Sequence, residues 1–299
     1  MRQLSDLLGC PVLQDEPMAR HTSFKVGGPA DCLVLPQTED DVMTVLAFAR
    51  EREMPLTIIG AGTNLIVRDG GIRGIAMSLA SEFAAYDVEG QRIHAQAGVL
   101  LATLCAAAAG CELSGLEWAM GIPGTLGGAL VMNAGAFGGD TRSVVETVRV
   151  VSPDGELKQL SVEEMEFGYR TSLLKRGQQI ALGATLRLCE GDPAAIQARQ
   201  REILEHRRRT QPLDLPSAGS IFERPPDDYA GRLIEQAGLK GKRIGGAQVS
   251  TKHANFIVNT GGATASDILE LIEHVREVVR QRFDVTLEQE VVVIGEDAR

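Results

Sequence analysis

The chain has 299 residues, 44% hydrophobic and 23% charged, with a net charge of −10, so it is long enough for a good core and about two soluble globular domains. The acidic balance gives nucleic-acid binding no electrostatic support, the first residues lack an apolar signal core, and no apolar run approaches a membrane span. Five cysteines without C-x-x-C spacing read as buried or free thiols of a reducing cytoplasm, and the five histidines lack ligand spacing, so no structural metal is expected.

In chain order, strands and helices alternate. Residues 38–52 predict a helix with Val42, Val45, Leu46 and Ala49 on one face and Glu39, Asp40 and Asp41 in the first turn, where the helix dipole favours anions. Residues 56–59 predict a short buried strand. It runs into Gly60-Ala61-Gly62-Thr63-Asn64-Leu65, small, hydroxyl and amide residues that offer a pyrophosphate N–H donors without bulk. The dinucleotide fingerprint G-x-G-x-x-G does not fit, because its third glycine falls at Leu65 and residues 66–71 read as strand and turn rather than helix. No Gly-Lys-Ser/Thr follows, so a Walker-type phosphate loop is also excluded. A strand is expected near 75–78, another over 92–98, and a small-residue helix over 99–109 ends at Gly110.

The run Gly121-Ile122-Pro123-Gly124-Thr125-Leu126-Gly127-Gly128-Ala129, continuing to Gly138, is rich in glycine and nearly uncharged. Glycine costs a helix about 1 kcal/mol relative to alanine, so no ordinary helix is expected here. What it offers is a backbone free to take positive φ and to approach another group closely. Either glycine loop alone reads equally as a tight connection between packed strands. The two together favour a cradle for a dinucleotide cofactor.

Further strands are expected over 146–152, with Val148 and Val150 on one side, then over 157–160 after the turn Pro153-Asp154-Gly155, and over 179–188. Composition changes at Glu190-Gly191-Asp192-Pro193, where a charged helix over 194–209 begins and a domain boundary is placed. A proline-rich loop, a helix near 229–237 and a strand over 255–259 follow. A long helix starts at Thr264, with Asp267 at capping-box spacing and Ile268, Leu271, Ile272, Val275, Val278 and Val279 as its buried stripe. The chain ends in a strand over 286–294. Mixed elements and long loops indicate α+β rather than a doubly wound sheet.

Three polar positions stand out. Strict alternation places Glu288, Glu290 and Val292 on one face, and a buried Val292 would draw Glu290 inward, where a carboxylate needs a partner or a shifted pKa. An edge-strand glutamate in water is the other reading. Ser220 lacks the G-x-S-x-G elbow, which argues against a serine hydrolase; by itself it is a turn serine. Arg170 by itself is a surface or salt-bridge arginine.

Taken together and in order, several segments resemble the flavin-dependent UDP-N-acetylenolpyruvoylglucosamine reductases (UDP-N-acetylmuramate dehydrogenases) of bacterial cell-wall synthesis. They are His21-Thr22-Ser23-Phe24-Lys25-Val26-Gly27-Gly28-Pro29-Ala30, the 60–71 and 121–138 stretches, Tyr169-Arg170-Thr171-Ser172, Ser217-Ala218-Gly219-Ser220-Ile221-Phe222, Lys252-His253-Ala254-Asn255-Phe256-Ile257-Val258-Asn259, and Glu290-Val291. They span nearly the whole chain, with the spacing of the family's shorter class, which lacks the tyrosine that an extra segment of the longer class places over the substrate.

The resemblance implies an N-terminal segment (1–25), an FAD-binding domain of the vanillyl-alcohol-oxidase type (26–191, lobes 26–80 and 81–191), and a smaller α+β substrate-binding domain (192–299). It implies FAD as cofactor, held by Gly60, Ala61, Gly62, Thr63, Asn64, Leu65, Gly121, Ile122, Pro123, Gly124, Thr125, Gly127, Gly128 and Ala129. NADPH is the implied reductant, and a UDP-sugar carrying an enolpyruvyl group is the implied substrate. Arg170 then matches the cation that meets charge developing on the enolpyruvyl carboxylate, Glu290 its polar partner, and Ser220 the proton donor. Tyr169 and Arg209 are expected at the substrate.

The implied setting is peptidoglycan precursor synthesis in the cytoplasm, and so cell shape and division. Glu223 and Thr210 depart from the family, which often carries lysine or another non-acidic residue at the first position and lysine at the second; the Arg207–Arg208–Arg209 triplet offers compensating charge, or else is a solvated helix end. The alternatives are another flavin oxidoreductase on the same fold and a non-catalytic binding module.

Overall fold

The computed structural model describes residues 2–80, 82–177 and 179–298, for Arg2 the backbone alone. Met1 and Arg299, the outer ends of the expected first and last segments, lie outside the described residues. The helices are α1 (Arg2–Leu7), α2 (Glu39–Glu51), α3 (Leu101–Gly110), α4 (Leu126–Met132), α5 (Pro193–Thr210), α6 (Ala230–Gln236) and α7 (Ala265–Phe283). No helix among the described residues is long and apolar enough to cross a membrane.

The chain divides into two compact units, each assembled from separated stretches: 1–14, 32–61 and 74–206 in the first; 15–31, 62–73 and 207–299 in the second. Compactness thus divides the chain differently from the linear scheme 1–25, 26–191 and 192–299. The expected boundary precedes α5, whereas the division between units falls inside that helix.

In the first unit a five-stranded antiparallel sheet runs in the order Leu157–Ser161, Val145–Val151, Ile180–Arg187, Arg92–Gln96, Tyr86–Glu89. Val148, opposite Leu160 and Ala184, and Val150 are fully buried on it. A parallel pair, Leu56–Ile59 beside Ile72–Ser78, belongs to a four-stranded sheet. The core joins both sheets to Val42, Val45, Leu46, Phe48 and Ala49 of α2 and to Leu101, Leu104 and Ala108 of α3. α2 begins as its sequence predicts: Thr38 and Asp41 exchange side-chain and backbone hydrogen bonds in a capping box.

In the second unit a three-stranded sheet (Arg243–Ile244, Ala247–Val249, Ile257–Asn259) packs with α6 and α7 around Ile268, Leu271, Ile272, Val275 and Val279. Every N–H of the first turn of α7 has an acceptor. Thr264 takes those of Asp267 and Ile268, and the carboxylate of Asp69 takes those of Ala265 (2.8 Å) and Ser266 (2.9 Å).

Two expectations are corrected. The glycine-rich run contains a helix after all. Thr125 caps α4 through the N–H of Gly128, and a Cβ at Gly127 would lie 3.0 Å from Ala97 Cβ. Close packing of the backbone on residue 97 overrides the poor propensity of glycine.

The terminal strand is also shorter than expected: only Val292–Ile294 pairs regularly, parallel to Leu65–Val67. Val292 is 39% exposed, while Leu287 and Val291 are buried. The N–H groups of Glu290 (2.8 Å) and Val291 (3.4 Å) both point to the carbonyl of Ile221. Two successive donors on one acceptor make a bulge. Burial still alternates: Leu287 and Val291 share the buried face, and Glu288 and Val292 the exposed one. The core thus takes the face opposite to the one expected from a buried Val292, while Glu290 is half-buried.

Candidate active site

In the first unit the two glycine loops meet. A Cβ on Gly60 would lie 3.0 Å from Thr125 Oγ1, so residues 65 apart in sequence share one small space. Gly121 (φ 75°) and Gly124 (φ 128°) hold the second loop in a conformation that favours glycine. The N–H groups of Ile122, Gly127, Gly128 and Ala129 are bound inside the protein, to Ala119, Ala97 and twice to Thr125. What these residues offer a ligand is close approach rather than donors. Just before the loop, the indole N–H of Trp118 is buried without a protein acceptor among the described residues, a donor that a bound group or water has to satisfy. A Cβ-free cradle with an unsatisfied donor beside it in sequence fits a large flat cofactor.

Arg170 stands in the same unit on a tight turn closed by Gly168 N–H to Thr171 C=O (3.0 Å). Its φ is +54°, a left-handed conformation that costs a residue with a side chain about 1–2 kcal/mol. The surroundings hold it there. Asn133, itself left-handed at the C-cap of α4 and 6% exposed, donates from Nδ2 to Gly168 C=O at 3.0 Å and accepts Arg142 N–H at 3.0 Å. Ser172 Oγ donates to Val131 C=O (3.0 Å), and Lys175 Nζ to Arg170 C=O (3.0 Å). The Arg170 guanidinium reaches Gly135 C=O at 3.4 Å and lies 5.2 Å from the ring of the exposed Tyr169. The 121–138 run and the Tyr169–Arg170 turn are therefore one structure.

The second unit brings Ser220 and Glu290 onto adjoining backbone. Ser220 bridges Phe256 and Phe222 bridges Gln289. Ile221 follows Ser220 directly and accepts the N–H of Glu290 at the bulge, a device that re-aims side chains beside functional sites.

The far end of the first glycine loop joins this group. Asn64 Nδ2 donates to Glu290 C=O (3.2 Å), and Asn64 C=O accepts Val292 N–H (3.1 Å). Leu65 is buried beside Val292 in the parallel pair. Gly62 (φ 63°) crosses His21, whose carbonyl would be 2.1 Å from a Cβ there. Ala61 belongs to the first unit, and Gly62, Thr63, Asn64 and Leu65 to the second. Arg209 is exposed in the last turn of α5. The buried member of its triplet is Arg207, whose pKa burial lowers.

The segments singled out in the sequence hold Asn133, Asn255 and Asp69, but sequence reasoning gave these residues no role. For the two asparagines the available signal was a lone amide in an apolar stretch (Val131-Met132-Asn133-Ala134; His253-Ala254-Asn255-Phe256-Ile257), since a buried amide must find partners.

The α+β layout of the first unit is that of a flavin-binding protein, and residues 30–161 match the FAD binding domain model. Residues 211–294 match the C-terminal domain of UDP-N-acetylenolpyruvoylglucosamine reductase. Proteins named UDP-N-acetylenolpyruvoylglucosamine reductase from Alkaliphilus oremlandii and Clostridioides difficile are each 48% identical, over 96% and 95% of this chain and 94% and 93% of their own. The crystal structure of UDP-N-acetylenolpyruvylglucosamine reductase from Thermus caldophilus aligns with a TM-score of 0.82 at 38% identity, over 95% of this chain and 98% of that one. The chain belongs to the UDP-N-acetylenolpyruvoylglucosamine reductase family.

Proposed function

We propose that this protein reduces the enolpyruvyl group of UDP-N-acetylenolpyruvoylglucosamine to give UDP-N-acetylmuramate, with FAD as bound cofactor and NADPH as reductant. The observation that carries this reading is the pairing of residues 220–223 with 288–291, which sets Ser220 beside the Glu290 bulge. Residues 26–191 form the FAD-binding domain and 192–299 the substrate domain in this reading, and the setting is peptidoglycan precursor synthesis in the cytoplasm.

When bound, FAD would supply the hydride, and Gly60 to Leu65, Gly121 to Thr125 and Gly127 to Ala129 would hold it. Arg170 offers a guanidinium to the enolpyruvyl carboxylate, a geometry that matches planar carboxylates, and stabilises negative charge developing there. Its strained, over-determined turn keeps that cation from relaxing away. Glu290 serves as its polar partner toward the same intermediate and assists only when protonated or hydrogen-bonded. Ser220 delivers the proton to the inner carbon. A hydroxyl is a weak acid, so its neighbours must polarise it. Tyr169, exposed beside Arg170, and Arg209 complete contacts to the sugar nucleotide.

The test is the visible spectrum of the purified protein under anaerobic conditions. A flavin band that NADPH bleaches and the enolpyruvyl sugar nucleotide restores supports both half-reactions. Bleaching without restoration assigns another flavin activity, and a protein that neither carries nor binds FAD overturns the reading.

A further inference from the structure

The segment that carries Ser220 is held on one flank by a side chain. Asn255 is 8% exposed. Its Nδ2 donates to Phe222 C=O at 2.8 Å, and its Oδ1 accepts Phe222 N–H at 3.0 Å. Its own backbone carbonyl takes Ile221 N–H at 2.9 Å. On the other flank Ile221 C=O accepts Glu290 N–H, and Glu223 N–H donates to Glu288 C=O, each at 2.8 Å. One carboxamide therefore does for Phe222 what a peptide group of a neighbouring strand would do. Among neutral side chains only asparagine and glutamine combine an N–H donor with a carbonyl acceptor in that geometry.

We propose that Asn255 is a positioning residue for the reaction. By locking both backbone groups of Phe222 it fixes the strand register that sets Ser220 against the Glu290 bulge. The proposal rests on Ser220 being the proton donor. Asn255 does not touch the reacting atoms; it acts through two peptide units.

The test uses the full-length, flavin-loaded protein and follows anaerobic bleaching by NADPH and restoration by the enolpyruvyl sugar nucleotide in N255A, N255D, S220A and the N255A/S220A double variant. Bleaching is expected at the wild-type rate in all. Restoration by N255A is expected to be about 10²-fold slower, as for a displaced proton-transfer group. The double variant is expected to be no slower than S220A, because both changes disable one step.

N255D is the decisive variant. Its carboxylate accepts the Phe222 N–H but cannot donate to the carbonyl, whereas its protonated form can. Its restoration rate should therefore rise as pH falls and the new carboxyl takes up a proton, a dependence that wild type and S220A lack. Wild-type restoration by N255A, or a slow and pH-independent rate in N255D, overturns the proposal even if N255A proves too unstable to measure. Wild-type restoration by S220A instead overturns the Ser220 reading, and this proposal with it.

Discussion

Glu290 donates its backbone N–H to the carbonyl of Ile221 at 2.8 Å, and Val291 turns its own N–H to the same oxygen at 3.4 Å. Residues 69 positions apart in sequence are thereby fixed at hydrogen-bonding distance, and Ser220 comes next to Glu290 along the backbone. Val291 is buried, and Glu290 beside it is half-buried.

Ser220→Ala is expected to retain FAD and its reduction by NADPH but to lower turnover about 10²–10⁴-fold, the range for a lost general acid. Single-turnover reoxidation separates the two halves. Unchanged reoxidation removes Ser220 from the chemistry.

Arg170→Met is expected to lower turnover by about 10²-fold or more, the scale for one lost charge-stabilising donor, with flavin content unchanged. Flavin absorbance per mole of protein, measured beside kcat/KM, checks this. Loss of flavin would make Arg170 a structural residue.

Gly124→Ala places a Cβ where φ is +128°, a conformation that residues with side chains rarely adopt. The 121–125 loop has to reshape, and FAD retention after gel filtration is expected to drop while the chain stays folded by circular dichroism. Full flavin content after the change shows that the loop is not part of the cradle.

Asp69 carries a pH-dependent part of the stability. Burial works to raise its pKa, but hydrogen bonds from the Ser266 hydroxyl (2.6 Å) and the N–H groups of Ala265 and Ser266 outweigh it and hold the carboxyl below the ordinary aspartate value. A depressed folded-state pKa gives stability that is present above the unfolded value of about 3.9 and is lost as pH falls through the folded one. Asp69→Ala is expected to cost about 1 kcal/mol near pH 7, the scale of a lost helix cap. The gap in unfolding midpoint from wild type should shrink below about pH 4. A gap that persists undiminished at lower pH, where wild type still folds, assigns the loss to packing.

Much of the local structure was legible because its causes are local. Thr38 with Asp41, and Thr264 with Asp267, announce α2 and α7 through groups three residues apart, and both capping boxes form. Of the stripe that follows from helical period, Ile268, Leu271, Ile272, Val275 and Val279 are buried as expected, and Val278 at its margin is half-buried. The alternation that buries Val148 and Val150 is likewise a property of neighbouring residues. The ordered motifs pointed to the family because each keeps unusual residue types together, such as paired glycines or Tyr169-Arg170 beside Gly168.

The sequence by itself determined the α+β class, most helices and strands, the glycine loops and the candidate residues Arg170, Ser220 and Glu290. Tertiary structure decided what depends on distant partners. Helix α4 exists because Gly127 packs on Ala97; the segment around Glu290, which pairs with the Ile221 carbonyl, buries Val291 rather than Val292; Arg170 holds a left-handed turn because Asn133 binds the Gly168 carbonyl. Each outcome rests on a hydrogen bond or close contact between backbone stretches far apart in the chain, and periodicity and propensity, which sum over neighbours, carry no record of such contacts.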